Sequence, residues 1–224
     1  MYSLGINMAV QPYSFSVVED TTIRLSYMFQ SSYRQSEQMM TIIKAQLLAH
    51  SMALSELSGI GVVQGPGQYT GVRMGVTLAK SLSMGLDIPI VGITTFSAML
   101  LPYLETDGVY LTCIPARKNE FNVQLMAVKD KHISIIVPSM AIQSTQLMSF
   151  LSRFESPIDV ISTVPISMSS TVRIHYHYVD TTAVARHTTQ CIVESKTRLS
   201  DVVPIYSHQP VLGKTKQHSK RGNI

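Results

Sequence analysis

Charge is scarce in this chain: of its 224 residues only 14% are Asp, Glu, Lys or Arg, the cations are scattered, and the net charge at pH 7 is +4. So small a surplus leans toward an anionic partner without naming one. Cysteine is scarcer still. Cys113 and Cys191 lie far apart, in neither a C-x-x-C pair nor a zinc-ligand spacing, which excludes a disulfide framework and a zinc ribbon and reads as two reduced core thiols. The start has no basic segment followed by an apolar run and a small-residue cleavage site, and no window approaches the apolar length of a bilayer span. The expected compartment is therefore the cytoplasm, with no membrane contact. After Asp201 acids are missing altogether, while Lys214, Lys216, Lys220 and Arg221 crowd the end beside His218. This basic tail reads either as a solubilising extension or as an arm that touches RNA.

Catalytic signatures are also missing. A phosphate-binding P-loop needs a lysine and a hydroxyl after its last glycine; Gly65-Pro66-Gly67-Gln68-Tyr69-Thr70-Gly71 offers neither, and Arg73 is no substitute. The spacing also misses the dinucleotide fingerprint, because three residues, not two, separate Gly67 from Gly71. Two readings of this loop remain: a turn that lets helix and strand pack tightly, or a site where the amides near Thr70 and Gly71 hold an anion. No paired carboxylate, nucleophile elbow or Ser-His-acid order stands out. His175-Tyr176-His177 puts two imidazoles on one face of a possible strand, a metal site only if a third ligand approaches, and Asp159, Asp180 and Asp201 read as isolated acids. No metal site is assigned.

What is present is a sequence rich in core, 45% hydrophobic, with clear alternation of elements. Residues 3–10, 13–18 and 22–28 are short, partly alternating apolar runs, as in an antiparallel meander. A helix is predicted over 32–51, a strand over 59–63, then the glycine loop, a helix over 70–85 and a strand over 90–93. Within the second helix Val72, Val76, Ala79 and Leu82 recur at helical spacing, and Gly71, Gly75 and Ala79 form a narrow small-residue strip beside them. That strip invites close approach by another helix. Beyond residue 100 strands are predicted at 109–114, 121–128, 132–137, 160–163 and 172–178, and helices at 144–154 and 181–196.

The run GPGQYTGVRMG, its helix, and GLDIPIVGITTFSAM together resemble the TsaB (YeaZ) family, the accessory subunit of bacterial tRNA threonylcarbamoyladenosine synthesis. Support extends to Ser3-Leu4-Gly5-Ile6-Asn7-Met8-Ala9, which resembles the family's first strand, and to Cys113-Ile114-Pro115-Ala116-Arg117-Lys118-Asn119-Glu120-Phe121, which resembles its D-A-R-x-x-E hairpin. Val203-Pro204-Ile205-Tyr206 is a weaker echo of the family's end. The resemblance implies an α/β chain with the actin-like, ribonuclease-H-like (ASKHA) fold in two lobes, the second reduced. The lobes would be residues 1–104, carrying the partner-binding helices, and 105–202, whose last helix returns to the first lobe; residues 203–224 would be an extension with the basic tail.

By the same resemblance the chain is a scaffold without catalysis of its own, supporting the catalytic paralogue TsaD together with the ATPase TsaE. TsaD moves a threonylcarbamoyl group onto the adenosine beside certain tRNA anticodons; tRNA would be met only indirectly, and the chain would pair with itself when TsaD is absent. Candidate interface residues are Glu37, Ile43, Gly67, Thr70, Gly71, Arg73, Gly75 and Ala79. Asn7, Arg117 and Glu120 mark a possible cleft between lobes. Asn7 stands where the family pattern has aspartate, so the carboxylate with which actin-like phosphotransferases hold magnesium is lacking. Met8, Gln35 and Pro115 are further departures, and the His-x-x-x-His pattern of the paralogue occurs nowhere. No cofactor is assigned, ATP or ADP at the complex interface being left open. The rivals are an actin-like small-molecule kinase or ATPase and a diverged stand-alone homodimer.

Overall fold

A computed structural model describes residues 1–30, 38–155, 157–168, 172–195 and 201–206. It contains two five-stranded sheets built to one plan. In the first, β1 (Tyr2–Asn7), β2 (Tyr13–Glu19) and β3 (Thr22–Phe29) form an antiparallel meander, and β4 (Leu57–Val63) and β5 (Ile90–Ile93) add in parallel beyond β1, giving the order β3-β2-β1-β4-β5. In the second, β6 (Gly108–Pro115), β7 (Glu120–Lys129) and β8 (His132–Gln143) repeat the meander, and β9 (Ile158–Ser162) and β10 (Ile174–Tyr176) the parallel pair, in the order β10-β9-β6-β7-β8. This is the actin-like arrangement of strands.

Helices fill the connections unequally. The first half has α1 (Met39–Ala49) between β3 and β4, α2 (Tyr69–Leu86) between β4 and β5, and α3 (Thr95–Leu100) after β5. The second half has the five-residue α4 (Leu147–Leu151), no helix among the described residues between β9 and β10, and α5 (Thr181–Val193) at the end. Side-chain alternation along each strand sorts the layers. Leu4, Ile6, Phe15, Val17, Ile60 and Val62 share one face of the first sheet with Met39, Ile43 and Leu47 of α1 and Val76, Ala79 and Leu82 of α2. The opposite face is lined by Ser3, Gly5, Ser16, Gly59 and Gly61, and α5 lies on it.

That second face shows why small residues stand there. A Cβ on Gly5 would strike the Thr181 carbonyl and come within 2.8 Å of the Ala185 amide, and one on Gly61 would strike the Thr188 hydroxyl. The hydroxyls of Ser16 and Thr181 bond at 2.7 Å, and Thr189 donates to Ser3 at 2.8 Å, so the close approach also satisfies buried polar groups. Asp180 caps the helix by accepting from the Thr182 amide at 2.8 Å. It is not the isolated acid its sequence context suggests.

Sequence and structure part at several points. The helix at 95–100 has no counterpart in the periodicity; Thr94, accepting from the Ser97 amide at 3.0 Å, starts it, and its Phe96, Met99 and Leu100 pack with Tyr110, Ile114 and Met126 of the second sheet. So α3 covers the second sheet as α5 covers the first, and the halves exchange their last helices. β8 runs six residues beyond the expected strand, to Gln143, and the helix expected over 144–154 is a 3-10 turn followed by α4. Neither cysteine is in a disulfide and both are buried; burial lifts the Cys113 thiol well above its ordinary range, so it stays protonated. No helix among the described residues is long and apolar enough to cross a membrane.

Candidate functional site

The glycine loop leads from β4 into α2, and its backbone is held from three sides. Gln68 donates its amide to the Ala9 carbonyl at 2.7 Å, and Thr95 donates its amide to Gly65 O at 2.7 Å and its hydroxyl to Pro66 O at 2.7 Å. Ile205 donates to Gln64 O at 2.7 Å. Gly65 has φ +105°, a conformation that L side chains rarely adopt, and a Cβ there would strike the Ile205 carbonyl.

The strip of Gly71, Gly75 and Ala79 is not an open groove. A Cβ on Gly71 would strike the Met8 carbonyl, one on Gly67 the Ala9 carbonyl, and one on Gly75 would lie 3.1 Å from Met8 Cβ. Gly71, Gly75 and Ala79 are buried, the last fully. The small residues let the chain's own β1–β2 connection cross α2, so the expected docking strip is corrected to an internal contact. Ile43 is likewise fully buried in the core. Gly67 is half-buried, and Glu37 and Gln35 lie outside the described residues, as does the basic tail. Of the interface candidates among the described residues only Thr70 and Arg73 are exposed.

Those two belong to a face that sequence reading did not single out. Thr70, Arg73, Thr77, Ser81 and Met84 repeat at three- and four-residue spacing along the outside of α2, and Thr41, Lys44, Ala45 and Leu48 do so on α1; all are exposed. Leu48 is 79% and Met84 70% exposed, although each sits on a helix whose inner stripe already fills the core. Met40, Ile42, Met74 and Leu78, half-buried against that core, widen the apolar surface at its edges. At the start of α2 the Tyr69 and Tyr206 rings lie 4.9 Å apart, and Arg73 donates to the Tyr69 hydroxyl at 2.9 Å. The signal for this face was available: subtracting the core stripe from α2 leaves these positions.

Asn7 is fully buried and turned inward. Its Nδ2 donates to the Val10 carbonyl at 3.0 Å and the Pro12 carbonyl at 3.1 Å, and its Oδ1 accepts from the Ala9 amide at 3.1 Å. An aspartate could not make the two donations. Arg117 and Glu120 stand on the β6–β7 hairpin, whose turn carries Asn119 at φ 59°. They border a cleft of about 480 Å3 formed with Phe121, Ser144, Thr145 and Ile166. Asn7 does not line that cleft, so the three residues grouped by sequence are not brought together. Nor do Arg117 and Glu120 form one of the ion pairs among the described residues.

The remaining candidates find structural partners. Asp159 Oδ2 lies 3.1 Å from both Arg173 Nη1 and His175 Nε2, and the Tyr103 ring lies within 5.4 Å of His175, His177 and Tyr110. Burial, then the neighbouring Tyr110 and Asp159, raises the Tyr103 pKa above its ordinary value. No group of three His, Cys, Asp or Glu side chains with metal-holding geometry occurs among the described residues.

A family model described as TsaD, tRNA N6-adenosine threonylcarbamoyltransferase, matches residues 30–201. The chain belongs to that family. Within it the likeness is to TsaB (YeaZ). The tRNA threonylcarbamoyladenosine biosynthesis protein TsaB of Bacillus subtilis (strain 168) is 28% identical over 158 residues, 70% of this chain and 69% of that protein. The protein of the same name from Escherichia coli (strain K12) is 25% identical over 122 residues, 54% of this chain and 52% of its own length. Among solved structures, an uncharacterized protein from Pseudomonas aeruginosa with similarity to peptidase YEAZ superposes with a TM-score of 0.74 at 13% identity, covering 92% of this chain and 99% of that one. At that identity the likeness speaks for the fold.

Proposed function

We propose that this chain is a non-catalytic subunit in tRNA threonylcarbamoyladenosine biosynthesis, docking a TsaD-type paralogue through the outer faces of α1 and α2. The observation that carries this reading is the exposure of Leu48 and Met84 on two helices whose inner stripes are already spent on the first sheet. Two such helices supply half of a four-helix bundle, and methionine adapts to an irregular mating surface. Asn7 supports the absence of chemistry: where actin-like phosphotransferases place a metal-holding acid, this amide is committed to closing its own loop. The family membership and the TsaB likeness supply the pathway and the paralogue; a TsaE-type ATPase and, indirectly, tRNA are its proposed further partners, in the cytoplasm.

The test is a titration of the purified paralogue with this chain and with its Leu48→Asp, Met84→Asp double variant. Loss of at least about tenfold in affinity, with an unchanged thermal midpoint, is expected, since both positions lie outside the core. Equal affinity for both forms would remove this face from the complex.

A further inference from the structure

The cleft of about 480 Å3 beside the β6–β7 hairpin is held open from both sides. On the hairpin side the Ser144 amide donates to the Asn119 carbonyl at 2.9 Å, and the turn closes on itself through the Glu120 amide on Arg117 O at 3.1 Å and the Ala116 amide on Glu120 O at 2.9 Å. On the other side the Tyr176 hydroxyl donates to the Ile166 carbonyl at 2.9 Å and accepts from the Ile166 amide at 3.2 Å, while the Ser162 hydroxyl donates to Val164 O at 2.7 Å. Phe121 and Ile166, both buried in the core of the second half, give the cleft an apolar lining, and Val164 and Pro165 extend it. A preformed hollow of this size, mostly apolar with a few convergent polar groups, has the form of a small-molecule site.

Its polar groups carry both signs of charge. Arg117 and Glu120 stand on one tight turn and both line the cleft, yet neither joins an ion pair among the described residues. The hydroxyl residues Ser144, Thr145 and Ser167 line it as well. A bare anion drawn to Arg117 would be repelled by Glu120, and a bare cation drawn to Glu120 would be repelled by Arg117. A ligand that bears a carboxylate and an ammonium on neighbouring atoms satisfies both: the guanidinium takes the carboxylate through two parallel hydrogen bonds, and the glutamate accepts from the ammonium. The apolar lining then suits a hydrocarbon side chain. We propose that this cleft binds a free amino acid with an aliphatic side chain, its carboxylate on Arg117 and its ammonium on Glu120. Neither α1 nor α2 takes part, so this inference stands or falls independently of the docking reading above.

The experiment is a calorimetric titration of the full chain with L-leucine, with leucinamide, which lacks the carboxylate, and with N-acetyl-leucine, which lacks the ammonium. Expected are saturable binding of L-leucine with a dissociation constant of about 1 mM or tighter and a loss of at least about tenfold for each analogue. Arg117→Gln should weaken L-leucine by about tenfold and erase its advantage over leucinamide, and Glu120→Gln should do the same against N-acetyl-leucine, because each substitution removes the partner of the group that the analogue lacks. No saturable binding of L-leucine to the unmodified chain by about 10 mM overturns the proposal. So does binding of leucinamide or N-acetyl-leucine as tight as that of L-leucine, and so does L-leucine binding that both substitutions leave unchanged.

Discussion

The two halves of this molecule share one strand plan and spend it differently. Between its two parallel strands the first half keeps α2, eighteen residues long, with both an inner and an outer face; the second half has no helix among the described residues at that place and a cleft beside Arg117 and Glu120 nearby. The helix-bearing faces differ as well. Toward α5 the first sheet offers Ser3, Gly5 and Gly61, whereas toward α3 the second offers Tyr110, Thr112 and Ile114. The first half is thus built for backbone-to-backbone approach and an outward-facing helix. The second is built as a conventional side-chain core.

The largest expected effect separates those two styles. Gly5→Ala should cost about 3 kcal/mol or more, because its Cβ meets backbone atoms of α5 that cannot rotate away, and urea unfolding will show it as a fall in midpoint. Thr112→Ala, in the corresponding row of the second sheet, loses one hydrogen bond to the Gln124 carbonyl and should cost only about 1 kcal/mol. Equal losses would erase the distinction. Asn7→Asp comes next: with its two donations replaced by a carboxylate facing two carbonyls, a loss of about 2–3 kcal/mol is expected at neutral pH, recovering as the pH falls, since protonation relieves the repulsion. A variant as stable as the parent would show that the site tolerates an acid.

Smaller effects sharpen the comparison. Thr189→Val removes the bond to Ser3 and should lower stability by about 1 kcal/mol. Leu48→Asp should change stability by no more than about 0.5 kcal/mol in thermal melts, because it leaves the core untouched, while weakening paralogue binding.

Much of the first half was legible because its signals are local. The meander, the glycine loop and α2 follow from alternation, turn residues and helical spacing, and the motif carries the family with them. The site was less legible. Small residues at Gly71, Gly75 and Ala79 announce that something comes close, but sequence does not say whether it is another polypeptide or the chain's own Met8. The same ambiguity hid α3, six residues too short to show a period, whose Thr94 cap and packing on the second sheet are tertiary facts. Asp159 looked isolated because its partners, Arg173 and His175, arrive from a neighbouring parallel strand.

Hydrogen exchange of the full chain with and without the TsaD-type paralogue tests the central claim most directly. The account predicts slowed exchange in residues 39–49 and 69–86, with the hairpin and cleft at 115–121 and 144–146 unchanged. Protection confined to that cleft, with both helices indifferent to the paralogue, would contradict it.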